Sequence, residues 1–228
     1  MGRYDQALSV FSPDGRIFQV EYAQLASERG SPVIFFSDGK TIAVAIEKRS
    51  ESKHKILSDL DKFREVETGI YLTFAGIWPD SLILIDEAIM IARAYAYNTG
   101  EKIDIKKLAL ELSDYVQKYT ITGGYRPFGI KMVLFGFAEG VPVITLIEPD
   151  GNYAMYRGGA IGQKSEKATE ELEKHLDLPP TTAVARVLYT VAQKDPKKMS
   201  LYEITPRIAT ILTASEVAEI VSSFGTTQ

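Results

Sequence analysis

Short apolar runs bounded by turn residues alternate along the chain with longer stretches whose apolar positions recur every three or four residues. Residues 33–36 and 41–46 are β-rich runs separated by Ser37-Asp38-Gly39-Lys40. Asp-Gly closes a tight hairpin because it accepts the left-handed backbone that strand twist demands. Residues 70–75 read as a further strand, and 132–137 and 143–148 as a pair around Glu139-Gly140. A strand at 153–157 follows Pro149-Asp150-Gly151, and the last lies near 208–212.

The longer stretches predict helices. A short one covers 20–29 and is closed by Gly30; a long one runs from Pro79-Asp80-Ser81, with Asp80 as cap, to about 98, with Gly100 beyond it. Leu82, Ile85, Ile89, Ala92 and Ala96 line one of its faces, while Ile83, Met90, Ala94 and Tyr97 make a second face apolar. A helix apolar on two sides is one packed between a sheet and another surface. The next helix is capped by Asp104 and turns Leu108, Leu112, Val116 and Tyr119 inward. Helices at 165–175 and 181–194 follow, and Thr213-Ala214-Ser215-Glu216 has the spacing of a capping box opening a last one. Hairpins, a helix pair, more hairpins and a second helix group predict an α+β chain with two stacked sheets between helix layers.

No linker, repeat or low-complexity tract divides the 228 residues, so the expectation is one domain over 1–228. Cysteine is absent, which excludes disulfides and thiolate metal sites, and the two histidines, His54 and His175, are far apart. Metal and cofactor sites are therefore not expected. The net charge of −4 is spread evenly with no basic stripe for nucleic acid, and every apolar run is broken by charge before it could span a bilayer. Met1 to Gln6 has no signal-peptide core, and Gln6 stands where a myristoylation motif wants Ser or Thr.

Candidate chemistry is sparse. Arg157-Gly158-Gly159-Ala160-Ile161-Gly162-Gln163-Lys164-Ser165 has the flavour of a phosphate loop, but Gln163 separates the glycine from the lysine that would reach a phosphate. It reads instead as a tight turn that glycine alone makes. No Gly-x-Ser-x-Gly or His-Glu-x-x-His is present. Asp59 and Asp61 with Lys53, Lys55 and Lys62 read as a solvated charged loop, and the tyrosines at 95, 97, 115 and 119 as packing.

The run from Tyr4 to Ala23, with the core Phe-Ser-Pro-Asp-Gly-Arg followed by Phe-Gln-Val-Glu-Tyr-Ala, closely resembles the N-terminal signature of proteasome alpha-type subunits. Ala45-Ile46-Glu47-Lys48-Arg49, Phe74-Ala75-Gly76, Gly123-Gly124-Tyr125-Arg126-Pro127-Phe128-Gly129, Glu148-Pro149-Asp150-Gly151 and Ala160-Ile161-Gly162 follow in family order. The resemblance spans essentially the whole chain and implies the four-layer αββα sandwich of N-terminal-nucleophile hydrolases, with 1–30 as gate segment and short helix and 31–228 as the sandwich. Proteolytic beta-type subunits of that family attack through an N-terminal threonine. Here Arg29-Gly30-Ser31-Pro32 occupies that region behind alpha-type signature, so no catalytic residue is assigned. The rival reading is a catalytic subunit whose mature chain starts at Ser31; a weaker one is a free-standing binding module.

What the resemblance implies is a structural and gating subunit of the 20S core particle. It would sit in an outer heptameric alpha ring on beta rings, admitting substrates for ubiquitin-dependent and other protein degradation in cytoplasm and nucleus. Its partners would be other alpha subunits, beta subunits, the C-terminal tails of activators or regulatory particles and protein substrates in transit, with no nucleic acid, membrane or cofactor. The gate cluster falls on Tyr4, Asp5, Pro13 and Tyr22. Gln6 replaces an arginine usual after Tyr-Asp and removes a fixed charge. The activator-tail pocket falls on Lys62, with Gly76 and Ile77 as wall; a solvated surface lysine is the alternative for Lys62. The exposed face of the two long helices is expected to meet the beta ring. Gln6, Ser37-Asp38-Gly39 and Glu21-Tyr22-Ala23-Gln24 lean toward a heteromeric eukaryotic ring and its alpha-4 type.

Overall fold

Strand β1 (Val33–Ser37) is buried at every position, and the reason is its place between two cores. Val33 and Phe35 point to one side, Ile34 and Phe36 to the other, as the two-residue period of a strand requires. Its hairpin partner β2 (Ile42–Glu47) does the same, with Val44 facing one core and Ala43 and Ala45 the other. The turn between them is fixed by Gly39 at φ +92° and by the Asp38 carboxylate, which accepts the amides of Lys40 and Thr41 at 2.8 and 2.9 Å. In the computed structural model, residues 8–48, 62–192 and 195–225 are described.

Among the described residues ten strands form two antiparallel five-stranded sheets. The first has the order β10 (Ala209–Ile211), β9 (Met199–Ile204), β2, β1, β8 (Gly158–Ile161). The second runs β3 (Phe63–Glu67), β4 (Ile70–Gly76), β5 (Ile130–Ala138), β6 (Val141–Ile147), β7 (Tyr153–Met155). Between the sheets lies an aromatic layer in which Phe63 stacks on Tyr202 at 4.1 Å and Phe35 meets Phe135 edge-on at 5.9 Å. Helices α2 (Trp78–Thr99) and α3 (Ile105–Ile121) cover the outer face of the second sheet, where Leu72, Phe74 and Leu134 meet Leu84, Leu108 and Leu112. Helices α4 (Ser165–Glu173), α5 (Pro180–Val191) and α6 (Ala214–Ser222) cover the first. The order helix, sheet, sheet, helix is the expected αββα sandwich.

The local signals differ in how they are met. Asp104 caps α3 by accepting the Lys106 amide at 2.8 Å, and Thr213 with Glu216 completes the capping box of α6. Gly100 ends α2 at φ +75°. Asp80, by contrast, is no cap: it lies in the first turn of α2, 3% exposed, and its carboxylate turns inward. The buried stripe of α2 is Ser81, Leu84, Ile85, Ala88 and Ala92, so Leu82 sits with the exposed Ile83, Met90 and Tyr97 rather than opposite them. Strands β3, β8 and β9 are additions to the expected set. Gly158 and Gly159 belong to β8, not to a turn, and their missing side chains make room for the rings of Phe36 and Phe35. Among the described residues no helix is long and apolar enough to cross a membrane.

Candidate functional site

Helix α1 (Phe18–Glu28) begins two residues earlier than expected and ends at Arg29 in ordinary right-handed geometry, so Gly30 is not there to cap it. Its role is close approach. A methyl group on Gly30 would stand 2.2 Å from the Gly76 amide nitrogen, and one on Gly76 would stand 2.2 Å from the Gly129 carbonyl oxygen. Gly76 adds a second requirement, φ of +130°, which side chains of L residues rarely adopt. Three backbone segments thus meet without side chains between them. Ile77 locks the corner by donating its amide to the Gly129 carbonyl at 3.1 Å.

Behind this corner Asp80 accepts both terminal nitrogens of Arg126 at 2.7 Å and the Gly129 amide at 2.9 Å. Burial alone would raise the Asp80 pKa, but the Arg126 and Gly129 donors outweigh it and hold the carboxyl below its ordinary value. The Arg126-Pro127-Phe128-Gly129 segment is therefore a clamp that fixes the position of Gly129, and through it Gly76 and Ile77.

In front of the corner a groove of about 500 Å³ opens between α1 and the end of β4. Gly30 and Gly76 line it together with Leu25, Ala26 and Ile77, which makes it mainly apolar, and Tyr22 and Arg29 complete the lining. Two expected docking residues, Gly76 and Ile77, and one expected gate residue, Tyr22, therefore share one concavity. The helix that carries Tyr22 was legible in the sequence. The part that Leu25, Ala26 and Gly30 play was not, because it depends on a contact across about 46 residues of chain, from 30 to 76.

Lys62 stands immediately before β3 and is not a solvated lysine. Part of its side chain reaches the surface, but the ammonium is enclosed. It donates to the Ser31 hydroxyl at 2.6 Å and to the Ser31 carbonyl at 3.0 Å, and lies 5.7 Å from the Phe74 ring centre. Its own carbonyl accepts the Thr73 hydroxyl at 2.7 Å. Burial lowers its pKa from 10.5 to about 7, and the negative charge of the buried Glu47 opposes that shift. Ser31 follows Gly30 directly, so the ammonium and the groove are separated by one residue of chain. Chemically the pair can act in two ways. An ammonium held by neutral acceptors presents a positive charge to an anion, and an amine near neutrality beside a hydroxyl is a base next to a nucleophile.

The remaining expected gate positions divide. Tyr4 and Asp5 lie outside the described residues, as do Gln6 and the loop lysines and aspartates from 53 to 61. Pro13 is exposed in a reverse turn in which Gly15 donates to the Ser12 carbonyl at 2.9 Å, with Gly15 at φ +75°. Arg16 then pairs with Glu21, the neighbour of Tyr22, its Nε donating to Oε1 at 2.7 Å, and covers the Phe18 ring. Pro13 and Tyr22 are thus carried on one turn-and-helix unit.

A family model described as "Proteasome subunit" matches residues 28–205, and a second, for the N-terminal signature of the A-type proteasome subunits, matches residues 4–26. Among curated relatives, the alpha type-7 proteasome subunit of Dictyostelium discoideum is 35% identical over 174 residues, 76% of this chain and 70% of that one. The proteasome alpha subunit of Saccharolobus solfataricus is 36% identical over 172 residues, 75% of this chain and 71% of that one. A Saccharolobus islandicus protein of the same name matches equally. Neither name carries the alpha-4 type toward which the sequence leans.

Proposed function

Because this chain belongs to the proteasome subunit family and carries its alpha-type N-terminal signature, we propose that it is a non-catalytic, gate-bearing subunit of the outer ring of a 20S core particle. It assembles with other proteasome subunits, in a heptameric alpha ring stacked on beta rings, and passes protein substrates toward active sites held elsewhere. The degradation it serves, ubiquitin-dependent among others, takes place in the cytoplasm and nucleus. The leading segment forms the gate through Tyr4, Asp5, Pro13 and Tyr22. The groove between α1 and the Gly76–Ile77 corner receives the C-terminal tail of an activator, and Lys62 binds the tail's terminal carboxylate.

One observation carries the docking part of this reading: an enclosed ammonium, bonded among the described residues to neutral oxygens, lies one residue from an apolar groove. A peptide end has matching chemistry, apolar side chains followed by a carboxylate. The test is an assembled particle carrying Lys62→Ala. Loss of activator binding and of activator-stimulated peptide hydrolysis is expected, with unstimulated hydrolysis unchanged. Unaltered stimulation would remove the assignment.

A second reading is favoured by the 2.6 Å contact between Lys62 and the Ser31 hydroxyl. Were the chain cut between Gly30 and Ser31, that contact would pair a nucleophile with a base at a new N-terminus. Intact-mass measurement of the chain from native particles decides it. A mass that retains the residues before Ser31 supports the scaffold, and a chain starting at Ser31 supports a hydrolase.

A further inference from the structure

Ser31 joins the groove to the ammonium, and neither the gate nor the pocket wall includes it. An ammonium has three donors and no acceptor. Ser31 takes two of them, one with its hydroxyl and one with its carbonyl. Both acceptors are neutral, so they fix the cation in place without cancelling its charge. Among the described residues no carboxylate forms an ion pair with Lys62: Glu47 acts on it through space only. Among the described residues no acceptor takes the third donor, so an acceptor from outside can engage it.

The backbone that carries Ser31 is rigid for reasons already visible. Gly30 has no room for a side chain against Gly76, and its carbonyl accepts the Gln163 amide at 2.8 Å. A methyl on Gly162 would stand 2.8 Å from the carbonyl oxygens of both Gly30 and Ser31. At the other end, the Lys62 backbone is held by Thr73. A free lysine side chain gives up rotamer freedom when it is immobilised. Here both ends of the side chain are fixed before any ligand arrives, and that preorganisation favours binding.

We propose that Ser31 is the positioning residue of the tail-docking site, its hydroxyl and carbonyl aiming the Lys62 ammonium at the terminal carboxylate of a peptide lying in the Gly30–Gly76 groove. The inference rests on the docking reading above, and it predicts a property that a purely structural serine would not have. Removing the hydroxyl weakens recognition of the carboxylate but not of the peptide's apolar side chains.

The experiment uses assembled particles and two short synthetic peptides with the same apolar side chains, one ending in a free carboxylate and one in an amide. Affinity for each is measured at slightly acidic pH, where the ammonium is charged. The unmodified particle prefers the acid. Ser31→Ala is expected to reduce that preference about tenfold, the size of one neutral hydrogen bond to a charged group, while leaving the amide's affinity unchanged. Ser31→Thr, which keeps the hydroxyl, restores it. If Ser31→Ala fails to assemble, Ser31→Cys fills the same space with a weak acceptor and should show the same loss. A full acid-over-amide preference in the alanine or cysteine variant overturns the inference. Lys62→Ala separates the two levels: it should abolish the preference, and if it does not, the docking reading itself fails.

Discussion

Asp80 and Arg126 form a two-pronged ion pair, both bonds at 2.7 Å, in which the carboxylate is buried and more than half of the arginine side chain is exposed. Asp80 also accepts the Gly129 amide, so the pair ties the start of α2 to the segment leading into β5. Deleting Arg126 leaves a buried carboxylate with one remaining donor. Solvent reaches the site from the arginine side, which limits the loss, and Arg126→Ala is expected to cost about 2–3 kcal/mol. For a chain of this size that is a melting-point drop of roughly 5–10 °C, measurable by calorimetry.

The same pair has a pH signature. A carboxyl whose folded pKa is depressed contributes stability above its unfolded value and loses it as pH falls through the folded one. Asp80 is such a group because Arg126 and Gly129 overcome the effect of burial. The stability gap between the unmodified chain and Arg126→Ala should be widest near neutrality and narrow below about pH 4, where the unfolded aspartate takes up its proton. Denaturant midpoints across that range check it, and a pH-independent gap would contradict the account.

Gly76 offers a sharper test of the corner. A methyl there would meet the Gly129 carbonyl at 2.2 Å, the Ile130 Cα at 2.9 Å and the Ser27 Cα at 3.0 Å, all of them backbone, at a φ of +130°. Nothing nearby can rotate aside. Gly76→Ala should cost about 3 kcal/mol or more and narrow the groove. Gly124→Ala is the control: its φ is also positive at +96°, but nothing lies within 4 Å of the added methyl, so about 1 kcal/mol is expected. Equal effects from the two variants would show that conformational strain, not close approach, sets the cost.

These tests rest on contacts of very different legibility. The β1–β2 hairpin could be read because Asp38 and Gly39 are sufficient to make it, and the α6 cap because Thr213 and Glu216 are three residues apart. Strand β3 hid because Arg64 and Glu65 face outward along a sheet edge, and β8 because glycine is a poor strand former, kept there by Phe35 and Phe36. Asp80 looked like a cap since an aspartate at a helix start usually is one; only the return of the chain at Arg126 turns it inward. Lys62, Gly76 and Ile77 came from resemblance alone. The hydrogen bonds from Lys62 to Ser31 join residues 31 positions apart, across the β1–β2 hairpin, which no local pattern reports.

On the outer face of α2, Met90 is 64% exposed and Tyr97 91%. Large apolar side chains that stand this far into solvent on one helix are what the proposed contact with a beta ring would use. Met90→Glu together with Tyr97→Glu should leave the isolated chain's melting point nearly unchanged, since surface changes shift stability by about 0.5 kcal/mol or less. Assembly with beta-type subunits, followed by native mass spectrometry, should fall sharply. Normal particle yield from the double variant would place the beta-ring contact elsewhere.

Lys62 gives the last prediction, and its sign runs opposite to that of Asp80. Burial lowers its folded pKa to about 7 from an unfolded value of 10.5, so between those values the unfolded chain binds the extra proton. Holding the ammonium inside is therefore most costly below about pH 7, and the cost is relieved as pH rises toward 10.5. Lys62→Met should be stabilised relative to the unmodified chain most strongly in mild acid, with the advantage fading in alkali. Peptide docking should move the other way, because a carboxylate needs the charged form. Its acid-over-amide preference should hold below about pH 7 and then weaken, approaching tenfold for each unit between that value and the pKa of the peptide-bound form, which the carboxylate itself raises and above which the preference levels off. Titrating both quantities on the same particle ties the cost of the buried charge to its use, and a preference that stays flat through pH 9 would break that tie.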